Sequence, residues 1–334
     1  MNKRAIALIA LVVVTASVAT LIYLNLTPNR YLDLTNTAPP APFTFTGSVN
    51  LMDFHTRFSL IGGKGPSLAY PVSEVYSVNN SLLASTFLWN MKSSEGVVNM
   101  TFYHNEVKVW VNLTDFQKIQ TNIPVDGYPD LMYGSEGWFP FYGSTIMLPQ
   151  LRLPMKLSSL PQFYSEVDFR LFKVRGTIDD FSYDIWLSQN PNVTYLQYPC
   201  IEVMVWMYHE EGIPSSYFVK VGDLSVEAVI NGTVRNVSFT VYVLPHTGSP
   251  NGWIGVYYVS DQQLEGNVSL PLSYMIKQSV YFASEVFPNL SPDQYYLDAI
   301  QVGMEFNNDS QGVAQLGYEL YGWRLYFNYT PGSM

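Results

Sequence analysis

Charged side chains are scarce in this sequence, and the positive ones are the scarcer kind. Only 13% of the 334 residues are Asp, Glu, Lys or Arg, whereas about a quarter is usual in globular proteins. The 17 Lys and Arg against 27 Asp and Glu leave a formal net charge of -10. No basic cluster follows Lys3 and Arg4. Because phosphate binding needs clustered Lys and Arg, the composition argues against a nucleic-acid partner.

Cysteine and histidine are also too few, or too scattered, for several classes of site. Cys200 is the only cysteine, which excludes an intrachain disulfide framework, and its place at the start of an apolar run predicts a buried thiol. The four histidines lack the spacing of metal ligands; they are His55, His104, His209 and His246. No Gly-X-Ser-X-Gly nucleophile motif occurs. We therefore expect neither a metal nor a cofactor.

The N-terminus carries a membrane-targeting pattern. Lys3 and Arg4 precede an uncharged apolar stretch from Ala5 to Leu24, which is typical of an export signal. Small residues at Ser17 and Ala19 permit signal cleavage, yet about 20 apolar residues also suffice to span a bilayer. The pattern predicts an extracellular protein that is either secreted or anchored to the outer face of the membrane.

The rest of the chain divides into a linker and one domain. Residues 25–46 are rich in Thr, Pro and Asn without periodicity, which predicts an exposed linker. Residues 47–334 are expected to form a single domain, and we expect a monomer. Glycosylation sequons occur at eleven asparagines, a density that suits an outward-facing protein: Asn25, Asn79, Asn99, Asn112, Asn192, Asn231, Asn236, Asn267, Asn289, Asn308 and Asn328.

A surface with few titratable groups changes little in charge when it is acidified. Aromatic residues make up 15% of the chain, with 25 Tyr and 7 Trp. A surface covered by Tyr, Ser, Thr and Asn would keep its charge nearly constant below about pH 4, where ordinary carboxyls gain protons. We therefore expect adaptation to an acidic environment.

The texture of the sequence is that of antiparallel β-structure. Short runs of Val, Tyr, Phe, Trp and Thr alternate with Gly, Pro, Asn and Asp from Phe43 onward. Hairpins are predicted over Asn99–Leu113 and over Ser225–Leu244, the second with Asn231-Gly232 at its turn. One helix is predicted over Leu272–Ala283, with its apolar residues on one stripe. The prediction is an all-β jelly-roll sandwich with one short helix and a concave substrate cleft.

Two of the predicted strands each place a glutamate among apolar neighbours. In Cys200–His209, alternation puts Glu202 on the face opposite Ile201, Val203 and Val205. In Asp298–Phe306, Glu305 likewise faces away from the apolar residues. Paired carboxyls of this kind can cleave a glycosidic bond. On the pattern alone, two solvated strand glutamates are the commoner case.

Five motifs, in order along the chain, resemble glycoside hydrolase family 12, the endo-β-1,4-glucanases, and in particular members from thermophilic prokaryotes. The resemblance spans most of the chain, from about Phe43 to Tyr329. The motifs are Phe87-Leu88-Trp89-Asn90-Met91, Gly127-Tyr128-Pro129-Asp130 with Tyr133-Gly134, Ser182–Leu187, Glu202–Trp206 and Gln301–Phe306. The chain departs from the family pattern at Met304, where many members have a small hydroxyl residue.

The resemblance implies a role for each matching carboxyl. It makes Glu202 the nucleophile, Glu305 the general acid/base and Asp184 a carboxyl that tunes the nucleophile. It implies a retaining enzyme that needs no cofactor and whose two glutamate carboxyls lie about 5 to 5.5 Å apart.

The expected partner is a β-glucan chain bound by aromatic and polar side chains. The candidate sugar-binding residues are Trp89, Asn90, Tyr133, Trp138, Met204, Trp206 and Gln301. Two alternatives stay open at this stage. One is a glucanase specific for xyloglucan or mixed-linkage glucan, and the other is a non-catalytic carbohydrate-binding jelly roll.

Overall fold

The computed structural model describes residues 31–35, 43–47, 75–78, 82–103, 105–145, 147–213, 216–247 and 252–328. The apolar stretch Ala5–Leu24 lies outside these residues. Within them, no helix has both the length and the apolar character that a membrane crossing requires.

Eighteen strands and one α-helix make up the regular structure of the described residues. In chain order the strands are β1 (Tyr31–Asp33), β2 (Phe43–Gly47), β3 (Val75–Val78), β4 (Leu82–Ser85), β5 (Met91–Tyr103), β6 (Glu106–Lys118), β7 (Asp130–Glu136), β8 (Gly143–Ser144), β9 (Met155–Lys156), β10 (Phe163–Arg175), β11 (Thr177–Ser188), β12 (Ile201–His209), β13 (Val219–Ile230), β14 (Thr233–Leu244), β15 (Ile254–Ser260), β16 (Gly266–Leu270), β17 (Tyr296–Asn307) and β18 (Val313–Phe327). The helix is α1 (Leu272–Ser284), and short 3-10 turns lie at Leu157–Ser159 and Pro292–Gln294.

The strands form one continuous ladder that folds back on itself into two layers. The inner layer runs in the order β4-β7-β17-β11-β12-β15-β14-β13, and the outer layer continues as β16-β10-β18-β6-β5-β2. Aromatic rings join the layers: Phe181 of β11 stacks on Phe169 of β10 at 4.0 Å between ring centroids. The Tyr183 hydroxyl of β11 donates to Ser165 of β10 at 2.8 Å. The main hydrophobic core lies between these layers.

Period-2 alternation decides which side chains enter this core. On β12, Ile201, Val203 and Val205 have no exposed surface and pack in the main core, so their neighbours face the other side of the inner layer. Both predicted hairpins are confirmed as β5–β6 and β13–β14. Asn231 and Gly232 close the second with φ of 51° and 76°, the left-handed backbone that a tight hairpin turn requires.

The predicted helix is confirmed at its start and extends one residue further. Its buried stripe packs on the sandwich, because apolar residues three and four apart share one helix face. The stripe contains Leu272, Met275, Ile276, Ser279, Val280 and Ala283. Tyr258 of β15 donates to the carbonyl of Met275 at 2.9 Å, which fixes the helix against the inner layer.

The segment predicted to be an exposed linker contributes two strands to the sheet. Within residues 25–46, β1 pairs with β18 and most of β2 pairs with β5. Leu34 is fully buried, and Asp33 forms an ion pair with Arg324 at 3.1 Å. Composition concealed this pairing because Thr and Pro are abundant here, whereas edge strands need only a few residues of ladder hydrogen bonding.

Two glycines with left-handed backbone provide a matched test of the packing between β7 and β17. A Cβ at Gly134 (φ +136°) would lie 2.6 Å from the Ala299 Cα, whereas a Cβ at Gly232 (φ +76°) would meet nothing within 4 Å. We expect Gly232→Ala to lower the free energy of unfolding by about 1 kcal/mol, from backbone strain alone. Gly134→Ala should lower it by about 3 kcal/mol or more, because β17 must also move. Equal losses in urea unfolding would contradict the close approach of the two strands.

Candidate active site

The side of the inner layer turned away from the core carries a group of buried and partly buried carboxyls, and we call it the acidic face. Cross-strand register defines it: Asp184 of β11 lies opposite Met204 of β12 and Gln301 of β17, and Trp186 lies opposite Glu202. Six carboxyl side chains from β7, β11, β12 and β17 lie on this face. They are Asp130, Glu136, Asp180, Asp184, Glu202 and Glu305.

Glu202 is held by two hydrogen-bond donors. Trp253 Nε1 donates to Glu202 Oε2 at 3.1 Å, and the Tyr257 hydroxyl donates to the same oxygen at 3.2 Å. Burial raises the pKa of Glu202 to about 7, and the hydrogen bonds from Trp253 and Tyr257 oppose that rise. The side chain is partly exposed. Glu202 is therefore a carboxyl whose anionic form is directly stabilised by two donors.

Glu305 has an acidic partner instead of a donor. Its cross-strand partner on β11 is Asp180, which has no exposed surface. Burial, followed by the charge and hydrogen bond of Asp180, raises the pKa of Glu305 well above its ordinary value. Two carboxyls side by side cannot both ionise easily. Glu305 therefore keeps its proton when Glu202 has lost its own.

A bulge in β11 brings Asp180 to this position. Ile178 pairs with Phe306 and Asp180 with Glu305, so Asp179 is an extra residue in the strand. In a regular strand Ile178 and Asp180, which are two residues apart, would share a face. Because of the extra residue, Ile178 enters the core while Asp180 joins the acidic face.

The two glutamates lie on a diagonal with β11 between them. Glu202 is level with Trp186 and Glu305 with Asp180, six residues along β11. An ideal flat sheet would separate these two levels by about 20 Å, but this face is not flat: both carboxyls act on the pKa of the Tyr257 hydroxyl, which donates to Glu202. Bulges at Phe181/Ser182 and Ile178/Asp180 add twist and bend to this region. The charge of Glu202 reaches across the diagonal, because it contributes to the raised pKa values of both Asp180 and Glu305.

Asp184 lies inside the diagonal, next to Glu202 on the neighbouring strand. Burial, and then the charge of Glu202, raises the pKa of Asp184 well above its ordinary value. Only 6% of its surface is exposed, so Asp184 also favours its protonated form.

Aromatic rings flank Glu202 on two sides. On one side Trp253 packs edge-on against Trp186 at 5.6 Å, and Trp186 against Trp138 at 5.8 Å between ring centroids. On the other side Trp206 packs edge-on against Tyr257 at 6.0 Å. Such rings offer apolar surface to the CH groups of a sugar and polar edges to its hydroxyls.

Four of the predicted sugar-binding residues lie on or beside the acidic face. Met204 and Trp206 follow Glu202 along β12, and both contact Tyr257 in a small cluster separate from the main core. Trp138 packs in a second cluster with Trp186. The Gln301 amide donates to Glu136 Oε1.

Two predicted sugar-binding residues belong to the scaffold instead. Tyr133 of β7 pairs with Ile300 and is fully buried in the main core, with its hydroxyl donating to the Leu151 carbonyl at 2.6 Å. Asn90 is fully buried, and its amide donates to the backbone carbonyls of Gln120 and Val125. Their motif positions suggested a cleft role. Alternation along β7 turns Tyr133 into the core, and the amide of Asn90 is used to bind the backbone of the loop that follows β6. Trp89 is partly exposed in the turn before β5.

Sequence reasoning missed four residues of the site. Trp186 was visible from alternation, since it shares a face with Asp184. Trp253 and Tyr257 reach Glu202 because β15 pairs in parallel with β12. This pairing cannot be predicted from the sequence of either strand alone. Asp180 depends on the bulge at Asp179. Among the described residues, no group of three His, Cys, Asp or Glu side chains is arranged to hold a metal ion.

One carboxylate stabilised by donors and one carboxyl that keeps its proton, on a face flanked by aromatic rings, are the equipment of a glycoside hydrolase. The sequence model of glycosyl hydrolase family 12 matches residues 75–323, and the chain belongs to this family. No curated protein matches the chain.

Solved structures of the family share the fold. The family 12 xyloglucanase from Bacillus licheniformis superposes with a TM-score of 0.55 at 18% identity, covering 77% of this chain and 100% of that one. Endoglucanase 3 from Trichoderma harzianum gives a TM-score of 0.51 at 17% identity, covering 77% and 95%. These likenesses confirm the predicted jelly-roll architecture.

The buried carboxyls predict a protein that is most stable in acid. Burial raises the pKa of Asp180 and Glu202 to about 7 and of Asp179 and Asp298 to about 8. Groups with a raised folded-state pKa contribute stability that is complete below the unfolded value near 4 and is lost as pH rises through the folded value. We expect the free energy of unfolding to fall between about pH 4 and pH 8.

Denaturant unfolding over this pH range measures the effect. Asp298→Asn removes one titrating group, so it should flatten the decline near pH 8. Partly exposed carboxyls in ion pairs behave oppositely. Desolvation acts to raise the pKa of Asp309, but hydrogen bonds from Gln311 and Arg175 outweigh it and lower that pKa, so Asp309 loses its contribution to stability only below about pH 4. A stability that increases from pH 4 to pH 8 would contradict the prediction.

Proposed function

We propose that the protein is a retaining endo-β-1,4-glucanase in which Glu202 is the nucleophile and Glu305 the general acid/base. The observation that carries this assignment is the unequal environment of the two carboxyls. Glu202 accepts hydrogen bonds from Trp253 and Tyr257, whereas Glu305 lies beside Asp180. An enzyme of this mechanism needs one carboxylate and one carboxylic acid at the same pH.

In the first step a carboxylate oxygen of Glu202 attacks the anomeric carbon. The bond from that carbon to the glycosidic oxygen breaks, its electron pair stays with the oxygen, and Glu305 supplies the proton that makes the leaving group a free hydroxyl. The product is a glycosyl ester of Glu202 with inverted configuration. Trp253 and Tyr257 release their partner oxygen as its charge is consumed.

In the second step Glu305, now a carboxylate, takes a proton from water. The water oxygen attacks the anomeric carbon, the ester bond breaks, and Glu202 regains its negative charge. Two inversions return the original configuration. Asp184 stays protonated beside Glu202 and can donate a hydrogen bond to it between turnovers.

The aromatic rings beside Glu202 support a polysaccharide substrate that passes across the acidic face. Trp138, Trp186 and Trp253 extend to one side and Trp206 to the other, so sugar units on both sides of the cleaved bond would have a ring to contact. This arrangement favours cleavage within a chain. In keeping with its N-terminal pattern, the enzyme acts outside the cell, as a monomer, in acidic surroundings.

Alanine variants of the two glutamates test the assignment. Glu202→Ala and Glu305→Ala should each lower kcat on carboxymethylcellulose by about 10²-fold or more, because each removes a group that acts in the transition state. Exposed Glu227, changed to Ala, serves as the control for loss of a strand carboxylate. Near-normal turnover in either active-site variant would overturn its assigned role.

Azide separates the two roles by stereochemistry. With an aryl β-cellobioside, whose leaving group needs little acid assistance, azide should replace the missing carboxylate of Glu202→Ala and give the α-glycosyl azide by single inversion. In Glu305→Ala, azide should attack the ester of Glu202 and give the β-glycosyl azide. Proton NMR of the products distinguishes the anomers, and the reverse result would exchange the two assignments.

The preferred polysaccharide is decided by comparing substrates. The structural relatives include an enzyme titled a xyloglucanase and one titled an endoglucanase, so both activities occur on this fold. We expect the highest kcat/KM on carboxymethylcellulose among carboxymethylcellulose, xyloglucan and barley mixed-linkage glucan. Higher values on either of the others would assign the corresponding specificity. Binding without turnover on all three would favour a carbohydrate-binding protein.

A further inference from the structure

Asp180 is the buried carboxyl closest in register to the proposed acid/base. Asp180 and Glu305 are direct cross-strand partners, so their Cβ atoms lie about 4.5 to 5.5 Å apart on one face of the sheet. Asp180 has no exposed surface, and among the described residues no N–H group donates to either of its oxygens. The Ser182 hydroxyl forms no hydrogen bond with Asp180, so the Glu305 carboxyl is the hydrogen-bonding group left beside it.

We propose that Asp180 is a positioning residue that shares one proton with Glu305 and holds Glu305 in its acid form to higher pH. The proposal rests on the function proposed above, since it assigns a partner to the group that protonates the leaving oxygen. Two adjacent carboxyls resist double ionisation, because the second proton can leave only by creating two negative charges in contact. Such a pair titrates as a unit.

The two basic side chains that face the pair, Lys118 and His209, both bind other groups. The other titratable or charged groups facing the pair from the elements packed against it are Asp179 and Asp184 of β11, Glu202 and His209 of β12, Tyr257 of β15, Lys118 of β6, and Asp126, Tyr128 and Glu211 in the adjoining loops. Lys118 pairs with Asp126 at 2.9 Å. The ring nitrogens of His209 each contact a backbone carbonyl, of Glu211 and Ser260, at 3.0 Å.

The shared proton also bears on the second half of the reaction. When Glu305 gives its proton to the leaving oxygen, both members of the pair become negative. Their mutual repulsion favours the return of a proton to Glu305, and the water that attacks the glycosyl ester supplies it. Asp180 therefore makes Glu305 a weaker acid at rest but a stronger base after the first step.

The test is the pH profile of Asp180→Asn, which keeps the side-chain shape and removes the charge. The alkaline limb of kcat/KM reports the loss of the Glu305 proton in the free enzyme. In Asp180→Asn this limb should move to lower pH by about one unit or more, the size of effect expected from removing one adjacent charge. Asp298→Asn is the matched control: Asp298 is also buried and lies on β17, but it acts on Glu136 and Cys200 and not on Glu305, so the alkaline limb of this variant should not move.

A measurement independent of turnover separates this inference from the proposed function. With 13C-labelled Glu and Asp carboxyls, NMR titration of the wild-type protein should show Glu305 and Asp180 titrating together in two steps, and Glu305 should titrate at lower pH in Asp180→Asn. Coupled titration without hydrolysis of any β-glucan would overturn the proposed function alone. Independent single-step titrations in the wild type, or an unmoved alkaline limb in Asp180→Asn, would overturn the role of Asp180.

Discussion

The withdrawal of carboxyl groups from water on one sheet face is the constraint on which the site depends. A buried carboxylate without a cation is expensive, and no described basic side chain forms an ion pair with any of the six acids of the acidic face. Most of them must therefore hold a proton. Burial makes the charged form of these carboxyls unfavourable, so they stay protonated and can act as proton donors.

Against this background, small differences in partner decide which acid ionises first. Trp253 and Tyr257 provide Glu202 with two donors, while Glu305 has a second acid beside it. The two glutamates arise from similar strands with similar alternation, so their chemistry is separated by neighbours on other strands. Long-range pairing, in particular the parallel contact of β12 with β15, is what makes the two environments unequal.

The same distinction explains which features could be predicted from the sequence. Alternation predicted that Glu202, Met204 and Trp206 share a face, and turn chemistry predicted the hairpin at Asn231-Gly232, because both depend on residues close together in the chain. Tyr133 was placed by its motif, but the parity of β7 turns it into the core. Strand β1 was missed because its pairing partner β18 is distant in sequence. Strand β2 begins at Phe43, where the β-rich pattern starts, but its pairing with β5 is not visible in the composition that suggested a linker.

The extra residue at position 179 has a consequence for any attempt to transfer parts between relatives. Before this residue, the even-numbered Ile178 faces the core, whereas after it the odd-numbered Phe181 and Tyr183 do. The alternation of inward and outward side chains therefore shifts by one residue at the bulge. If a segment from an enzyme without this bulge replaced it, the inward-facing and outward-facing side chains would be exchanged on one side of the graft. Recombination points for chimaeric enzymes therefore belong outside residues 177–182, so that the bulge is either kept or replaced as a whole.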